Sequence, residues 1–490
     1  MRPRNDREVR DSGAQAPRKI VVIGAGVTGL VAAREILRRA DAVRTRVEVT
    51  VLEASPRAGG KIRTEHVAGA VVETGPDSFV TLKPEMLELV RELGLESELI
   101  ATAPNASVSV YKDGQLLPLP DGFQLVSPTK ILPFAFSSLF TWRAKLRMAL
   151  EPFVRVKRSP DDESLADFAR RRLGAEALEV LVGPMLAGIF AGDAEKMSVR
   201  STFPQLLEME KRGGLARSLW FGGAKRKKRE GFSTFMTLRG GLTRITEELV
   251  KSLPAGTLKL DCPATALRRS HGRWEVVTPQ GVLEADAVIA ASPAPAFADT
   301  AEGLDPELAA RLREIPFVST ATIAVVYDAA TMPAPPQGFG FLTSRGAKTT
   351  LTAATFATSK FPDRPAPGKV VIRAFAGGAG REESAEGPIT RLEERVQEDL
   401  GRILGLSGAK AVAVKSTRWL KANPQYNVGH SRRLERLTSC LKSHPGLILA
   451  GCSYGGVGLP DCVRSGRRAA ELILTTLAGR NHEHAAGGLA

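Results

Sequence analysis

Four apolar residues, Ile20–Ile23, run unbroken up to the glycines Gly24, Gly26 and Gly29. A continuous apolar run that stops at a turn signal reads as a strand buried on both faces. The pattern then becomes helical as far as Ala40, and Val47–Leu52 supplies a second apolar strand ending on Glu53. Val71–Glu73 closes a further strand at a Gly75-Pro76 turn. A short helix follows over Pro84–Leu93, with Met86, Val90 and Leu93 on one face and Gly94 to stop it.

From about Ile131 to Gly192 the spacing is helical, and Ser164-Leu-Ala-Asp167 has the form of a capped helix start. Strand patterning returns at Leu258–Leu267, Trp274–Thr278, Val282–Ala285 and Asp286–Ala291. Five more β-rich runs follow, at Ala321–Tyr327, Gly338–Thr343, Leu351–Phe356, Val370–Phe375 and Ala411–Arg418, suggesting an antiparallel sheet. Near the C-terminus a strand from Gly446 runs into the glycine-rich loop Gly451–Gly458 and a helix to about Leu477.

The expected fold is therefore α/β. A discontinuous Rossmann-like domain is expected from residues 19–95, 236–296 and 430–478. An α+β substrate domain with an antiparallel sheet is expected from 96–130 and 297–429, and a helical subdomain from 131–235. Residues 1–18 and 479–490 read as flexible tails.

Composition narrows the function classes. The 490 residues are 43% hydrophobic and 25% charged, an ordinary globular balance with more than one domain. A net charge of +15 favours acidic small molecules or anionic membrane surfaces, and nucleic acid to the same extent by charge alone. Only 6% of residues are aromatic, with no zinc-finger spacing, so nucleic acid is the weakest of the three. Cys262, Cys440, Cys452 and Cys462 form no CxxC pair, which points to a reducing, cytoplasmic setting. No metal site is expected, and no apolar run approaches the ~18 residues of a membrane span. The arginine-rich start, interleaved with acids, lacks the core of a secretory signal.

The chemistry centres on Gly24-Ala25-Gly26-Val27-Thr28-Gly29. Gly24 allows a sharp turn, Gly26 a close approach of pyrophosphate, and Gly29 the packing of helix on sheet. The phosphates would rest on the helix N-terminus, and Glu53 would accept bonds from an adenosine ribose. Gly59-Gly60-Lys61 offers a second close backbone approach beside cations, suited to phosphate or simply to a glycine turn. The glycine loop before the C-terminal helix gives a second helix N-terminus far from the first. Two such ends suit a long ligand such as FAD.

These segments together resemble the flavin monoamine oxidase-like superfamily, and within it the porphyrinogen oxidases of haem synthesis. The resemblance is carried by GAGVTGL, LEASPRAGGKIRT, ETGPDSF, LAGIFAGD with MSVRSTFP, PQYNVGH and GVGLPDC. It spans nearly the whole chain and is strongest toward the Gram-positive-type coproporphyrinogen III oxidases, with protoporphyrinogen oxidases as siblings. It implies that Gly24–Gly29 hold the FAD pyrophosphate, and Glu53 and Ala54 the ribose. Ala264 would meet the adenine end. Lys61 and Gly75, Pro76, Asp77 and Ser78 would lie along the cofactor, with Val457, Gly458 and Leu459 at the flavin ring.

No covalent link to cysteine is implied, and no catalytic side chain is expected, because the flavin carries the chemistry. The substrate would be a porphyrinogen, oxidised by six electrons with molecular oxygen as acceptor and hydrogen peroxide as product. Plant-type relatives carry an arginine where Ser107 or Val108 stands here, and the coproporphyrinogen branch lacks it too. Coproporphyrinogen III is therefore favoured over protoporphyrinogen IX. His430 and Tyr426 of PQYNVGH read as structural.

Rival readings are an amine oxidase, a carotenoid desaturase and a non-catalytic porphyrin-binding flavoprotein. The segment Ile131–Phe153 mixes apolar residues with Arg143, Lys145 and Arg147. It suits either peripheral contact with anionic membrane or a buried helix pair. An oligomer is compatible with the chain.

Overall fold

The computed structural model describes residues 16–40, 46–104, 107–120, 123–124, 127–128, 134, 136–220, 233–406, 408–477 and 488–490. The expected N-terminal tail lies mostly outside the described residues, as do residues 131–133 and the basic run Lys225–Arg229.

Six parallel strands form the first sheet, in the order Leu258–Lys259, Val47–Leu52, Arg18–Ile23, Ala287–Ala290, Leu447–Leu449 and Gly488–Leu489. Its strands come from the beginning, middle and end of the chain. Ile20 and Val22 face the helices Val27–Arg39 and Leu459–Leu477. Val21 and Ile23 face the opposite layer, which includes Trp274, Phe297 and Leu308. Burial on both faces explains why the strand is apolar without alternation. The two helices cross closely, since a Cβ at Gly466 would lie 2.5 Å from the Thr28 carbonyl.

Two expectations are corrected here. The run Leu258–Leu267 is broken into Leu258–Lys259 and Ala266–Ser270, because Asp261 adopts φ 50° and Pro263 lacks a donor. Residues 488–490 are docked rather than forming part of a free tail. Leu489 pairs with Leu449, and the Ala490 carbonyl accepts from the Ser465 hydroxyl at 2.7 Å.

The second sheet has seven strands: Ala411–Pro424, Phe317–Asp328, Lys369–Gly377, Leu351–Phe356, Gly340–Thr343, Val108–Lys112 and Gln115–Pro118. It is mixed rather than wholly antiparallel, because Val108–Lys112 joins Gly340–Thr343 in parallel. The helix Ile389–Leu404 covers one face through Leu392, Val396 and Leu400. On the other face Ala324, Val326 and Val371 pack on Ala70 and Val72 of the hairpin Thr64–Val67/Ala70–Glu73. That contact sets the turn after Glu73 between the two sheets.

Residues 136–220 are largely helical. Ser164 caps its helix as expected, accepting from the Asp167 N–H at 3.0 Å and donating to its carboxylate. A buried ion pair, Arg172 with Glu151, holds this region together, and Glu151 also accepts from the Leu215 and Ala216 N–H groups. No helix among the described residues is long and apolar enough to cross a membrane.

Candidate active site

The turn at Gly24 takes φ 105°, a conformation costly for any other residue. The three glycines have separate roles. A Cβ on Gly29 would fall 1.9 Å from the Gly24 carbonyl oxygen, so Gly29 is required by packing. A Cβ on Gly26 would meet no protein atom within 4 Å. Gly26 precedes the helix Val27–Arg39, which has no side-chain cap and no acid in its first turn. Open space at an uncapped positive helix end fits a diphosphate. The Thr28 hydroxyl is committed to the Cys462 carbonyl at 3.2 Å, so Thr28 offers its backbone N–H only.

Gly59-Gly60 is brought against this turn. The Gly59 N–H donates to the Ala25 carbonyl at 2.8 Å, and Gly60 approaches the Gly26 Cα. Arg57 is spent within its own loop, on the carbonyls of Ala58, Gly60 and Ile62. Glu53 closes the turn through its carboxylate, which accepts from the Ala25 N–H at 2.8 Å and from Ser55. Glu53 itself is half-buried and Ala54 beside it is exposed. The Cys262 N–H bonds the Glu53 carbonyl and the Asp261 N–H that of Ser55, which brings Ala264 to the same end. The Ala264 carbonyl accepts from the Thr300 hydroxyl at 3.0 Å.

Lys61 points away from this end. Its ammonium donates to the Ala422 carbonyl and lies 3.9 Å from the Cys452 sulfur. Gly75 packs on Lys61 so tightly that a Cβ would fall 1.8 Å from the Lys61 carbonyl oxygen. Trp419 donates its indole N–H to the Thr74 carbonyl at 3.0 Å, and Arg373 donates to that of Gly75. Asp77 carries two cations, Lys360 and Arg373, each at 3.0 Å. Burial opposes ionisation there, but these two cations hold its carboxyl well below the usual carboxylate range. Pro76 and Ser78 complete the turn, and Ser78 donates to Asp77 at 2.7 Å. Lys360, Arg373 and Trp419 escaped the sequence reading because they reach this turn from strands and a short helix some 300 residues away.

The loop Gly451–Gly456, which Lys61 meets at Cys452, leads into the half-buried Val457, Gly458 and Leu459. The helix Leu459–Leu477 was expected to offer a second free anion site. Instead Asp461 fills its first turn, pairing with Lys83 at 2.7 Å and with Arg464. A Cβ on Gly456 would fall 2.5 Å from the Asp461 carboxyl carbon. Residues 457–459 can therefore meet a ligand through backbone and shape, not through a vacant positive pole. An acid in a helix's first turn was a visible signal for this.

Bonds and close contacts thus tie Glu53 to Ala25, the Ala25–Gly26 turn to Gly59-Gly60, and Lys61 to Gly75 and Cys452. Among them the helix Val27–Arg39 offers an uncapped end beside the open space at Gly26. Among the described residues no cluster of His, Cys, Asp and Glu could hold a metal ion.

Comparison with known proteins gives the family of this chain. The profile described as flavin containing amine oxidoreductase matches residues 27–474. A coproporphyrinogen III oxidase of Bacillus subtilis is 36% identical over 94% of this chain and 98% of its own length. A protoporphyrinogen oxidase of Homo sapiens is 32% identical over 94% and 99%. A crystal structure from Exiguobacterium, provisionally named a protoporphyrinogen oxidase, superposes with TM-score 0.83 at 31% identity, covering 94% of this chain and 99% of that one. Cyclohexylamine oxidase of Brevibacterium oxydans shares the fold, with TM-score 0.68 at 18% identity over 94% and 100%. This chain belongs to the flavin-containing amine oxidoreductases, and within them to the family of coproporphyrinogen III and protoporphyrinogen oxidases.

Proposed function

We propose that this protein is an FAD-dependent, oxygen-dependent porphyrinogen oxidase of haem synthesis, acting on coproporphyrinogen III. The observation that carries the cofactor reading is the open space at Gly26 beside an uncapped helix end, with Glu53 at one side and Gly60 at the other. The Gly24–Gly29 turn would hold the diphosphate through backbone N–H groups. Glu53 and Ala54 would take the ribose and Ala264 the adenine. Lys61, the Gly75–Ser78 turn and residues 457–459 would lie along the ring end.

Bound there, the flavin would supply hydride acceptance, with three O2 reduced to three H2O2 as the porphyrinogen loses six hydrogens. The chain's part is to hold one bridge carbon over the ring and exclude water. Binding should be non-covalent. Burial pushes the Cys462 thiol up to about 12 and keeps it protonated and unreactive. Residues 96–130 and 297–429 would form the substrate-binding part, above the 19–95, 236–296 and 430–478 cofactor part.

The choice of coproporphyrinogen rests on the relatives and on position 107–108. Ser107 and Val108 enter the second sheet beside Gly338 and Gly340, and neither offers a cation. Supplying both porphyrinogens in air and following porphyrin fluorescence and peroxide tests the assignment. Porphyrin bound without peroxide would instead favour a non-catalytic carrier.

The helix Trp142–Ala149 supports peripheral contact with anionic membrane. Trp142, Leu146 and Leu150 form one outward stripe, continued by Phe153, which is 81% exposed. Fewer cations than expected flank it, because Lys145 is buried under the Trp142 ring and Arg147 donates to the carbonyls of Arg171 and Arg172. Arg143, Arg155 and Arg158 remain exposed. Protruding apolar side chains with a basic rim suit an interfacial surface better than an inner helix pair.

A further inference from the structure

Tyr426 is only 2% exposed, and its hydroxyl is used twice. It donates to the Cys452 carbonyl at 2.5 Å and accepts from the Gly456 N–H at 2.9 Å. One phenol therefore brackets the glycine-rich loop at two points. His430 stacks on the Tyr426 ring, with centroids 4.3 Å apart and planes at 17°. Its Nε2 lies 3.3 Å from the Tyr454 carbonyl, between those two points. A carbonyl only accepts, so the proton is on Nε2, and the buried Nδ1 has no protein partner. Backbone groups of residues 452, 454 and 456 are thus all held by two side chains of the 425–430 segment.

That segment is anchored independently of the loop it holds. The Ser198 N–H donates to the Tyr426 carbonyl at 2.8 Å, and the Gly429 N–H to Asp162 at 3.1 Å. Gln425 donates to the Phe190 carbonyl at 3.0 Å. We infer that Tyr426, seated on His430, is a positioning residue that sets the backbone of residues 452–456 against the flavin. The inference rests on the proposed placement of the cofactor at residues 457–459. Phenylalanine at 426 would keep the ring and remove both bonds, leaving the Gly456 N–H unpartnered.

The test is Tyr426→Phe in the full chain, with FAD titrated into apoprotein. The expected result is a dissociation constant raised about tenfold and an altered visible circular dichroism of the bound flavin, beyond the loss of apoprotein stability that two missing bonds bring. Unchanged FAD affinity and dichroism would overturn the inference, as would a lower apoprotein melting temperature with unchanged dichroism. Should Tyr426→Phe not fold, His430→Leu and His430→Gln replace it, since glutamine retains a donor for the Tyr454 carbonyl. Weaker binding in His430→Leu that His430→Gln restores supports the clamp, and equal binding in the two overturns it. A wild-type chain that takes up no FAD overturns the proposed cofactor and this inference together. Normal wild-type uptake with an indifferent variant overturns this inference alone.

Discussion

Gly29 and the Gly24 carbonyl are in such close contact that a Cβ on Gly29 would fall 1.9 Å from that oxygen, whereas Gly26 faces open space. The two positions should respond oppositely to valine. Gly26 has φ −68° and ψ 173°, which any residue adopts, so Gly26→Val should fold and come out colourless. Gly29→Val forces backbone apart, costing about 1–3 kcal/mol or more, and should lower stability before cofactor enters the question. Absorbance at purification and apoprotein melting separate the two. Normal FAD in Gly26→Val would sink the assignment of the diphosphate site.

The substrate preference has a direct measure in kcat/KM for the two porphyrinogens. A buried propionate lacking a charge-assisted partner costs about 1–3 kcal/mol. With Ser107 and Val108 at the position in question, the ratio should favour coproporphyrinogen III by about tenfold or more. A preference for protoporphyrinogen IX would mean that another cation serves the propionates.

Membrane contact predicts salt-sensitive co-sedimentation with anionic vesicles and none with neutral ones. Each nearby cation contributes roughly 1 kcal/mol and each buried leucine about 1.5–3 kcal/mol. Leu146→Glu should therefore weaken partitioning at least about tenfold, with the fold intact because this side chain is 65% exposed. Wild type that stays in the supernatant at low salt would end the proposal.

His430 gives a pH dependence of stability. Burial lowers its folded value to about 4, and Arg433 pushes the same way against the Tyr454 carbonyl and Asp162. The unfolded imidazole titrates at about 6.5. The unfolded chain therefore takes the proton first, so stability is full above the unfolded value and falls as pH drops from about 6.5 to 4. The loss is on the order of 3 kcal/mol. Melting temperature against pH should be steeper over this window in wild type than in His430→Gln. Parallel curves would show that His430 titrates normally.

The Gly24–Gly29 turn was legible in sequence because its demands are local: a positive φ, a close packing and a free approach within six residues. The helix Ile389–Leu404 carries an equally local signal, since Leu392, Val396 and Leu400 recur at helical spacing, but it lies among β-rich runs that mask it. Asp77 is a different case. It was placed in a cofactor turn, but nothing local shows that Lys360 and Arg373 neutralise it from 283 and 296 residues away. The parallel pairing of Val108–Lys112 with Gly340–Thr343 likewise depends on a long-range register that periodicity does not contain.

The first sheet takes its central strands from near residues 20, 50, 288 and 448. During synthesis at ~5–20 residues per second, the first glycine turn leaves the ribosome tens of seconds before the strand Leu447–Leu449 that completes its sheet. Until then the nascent chain holds the unpaired, fully apolar edge of the strand Ala287–Ala290. Folding of this protein should therefore be slow and largely post-translational, with aggregation as its main competitor. Cofactor supply during expression should raise the yield of native protein more than it raises the activity of each molecule, because ligand binding captures only the completed sheet.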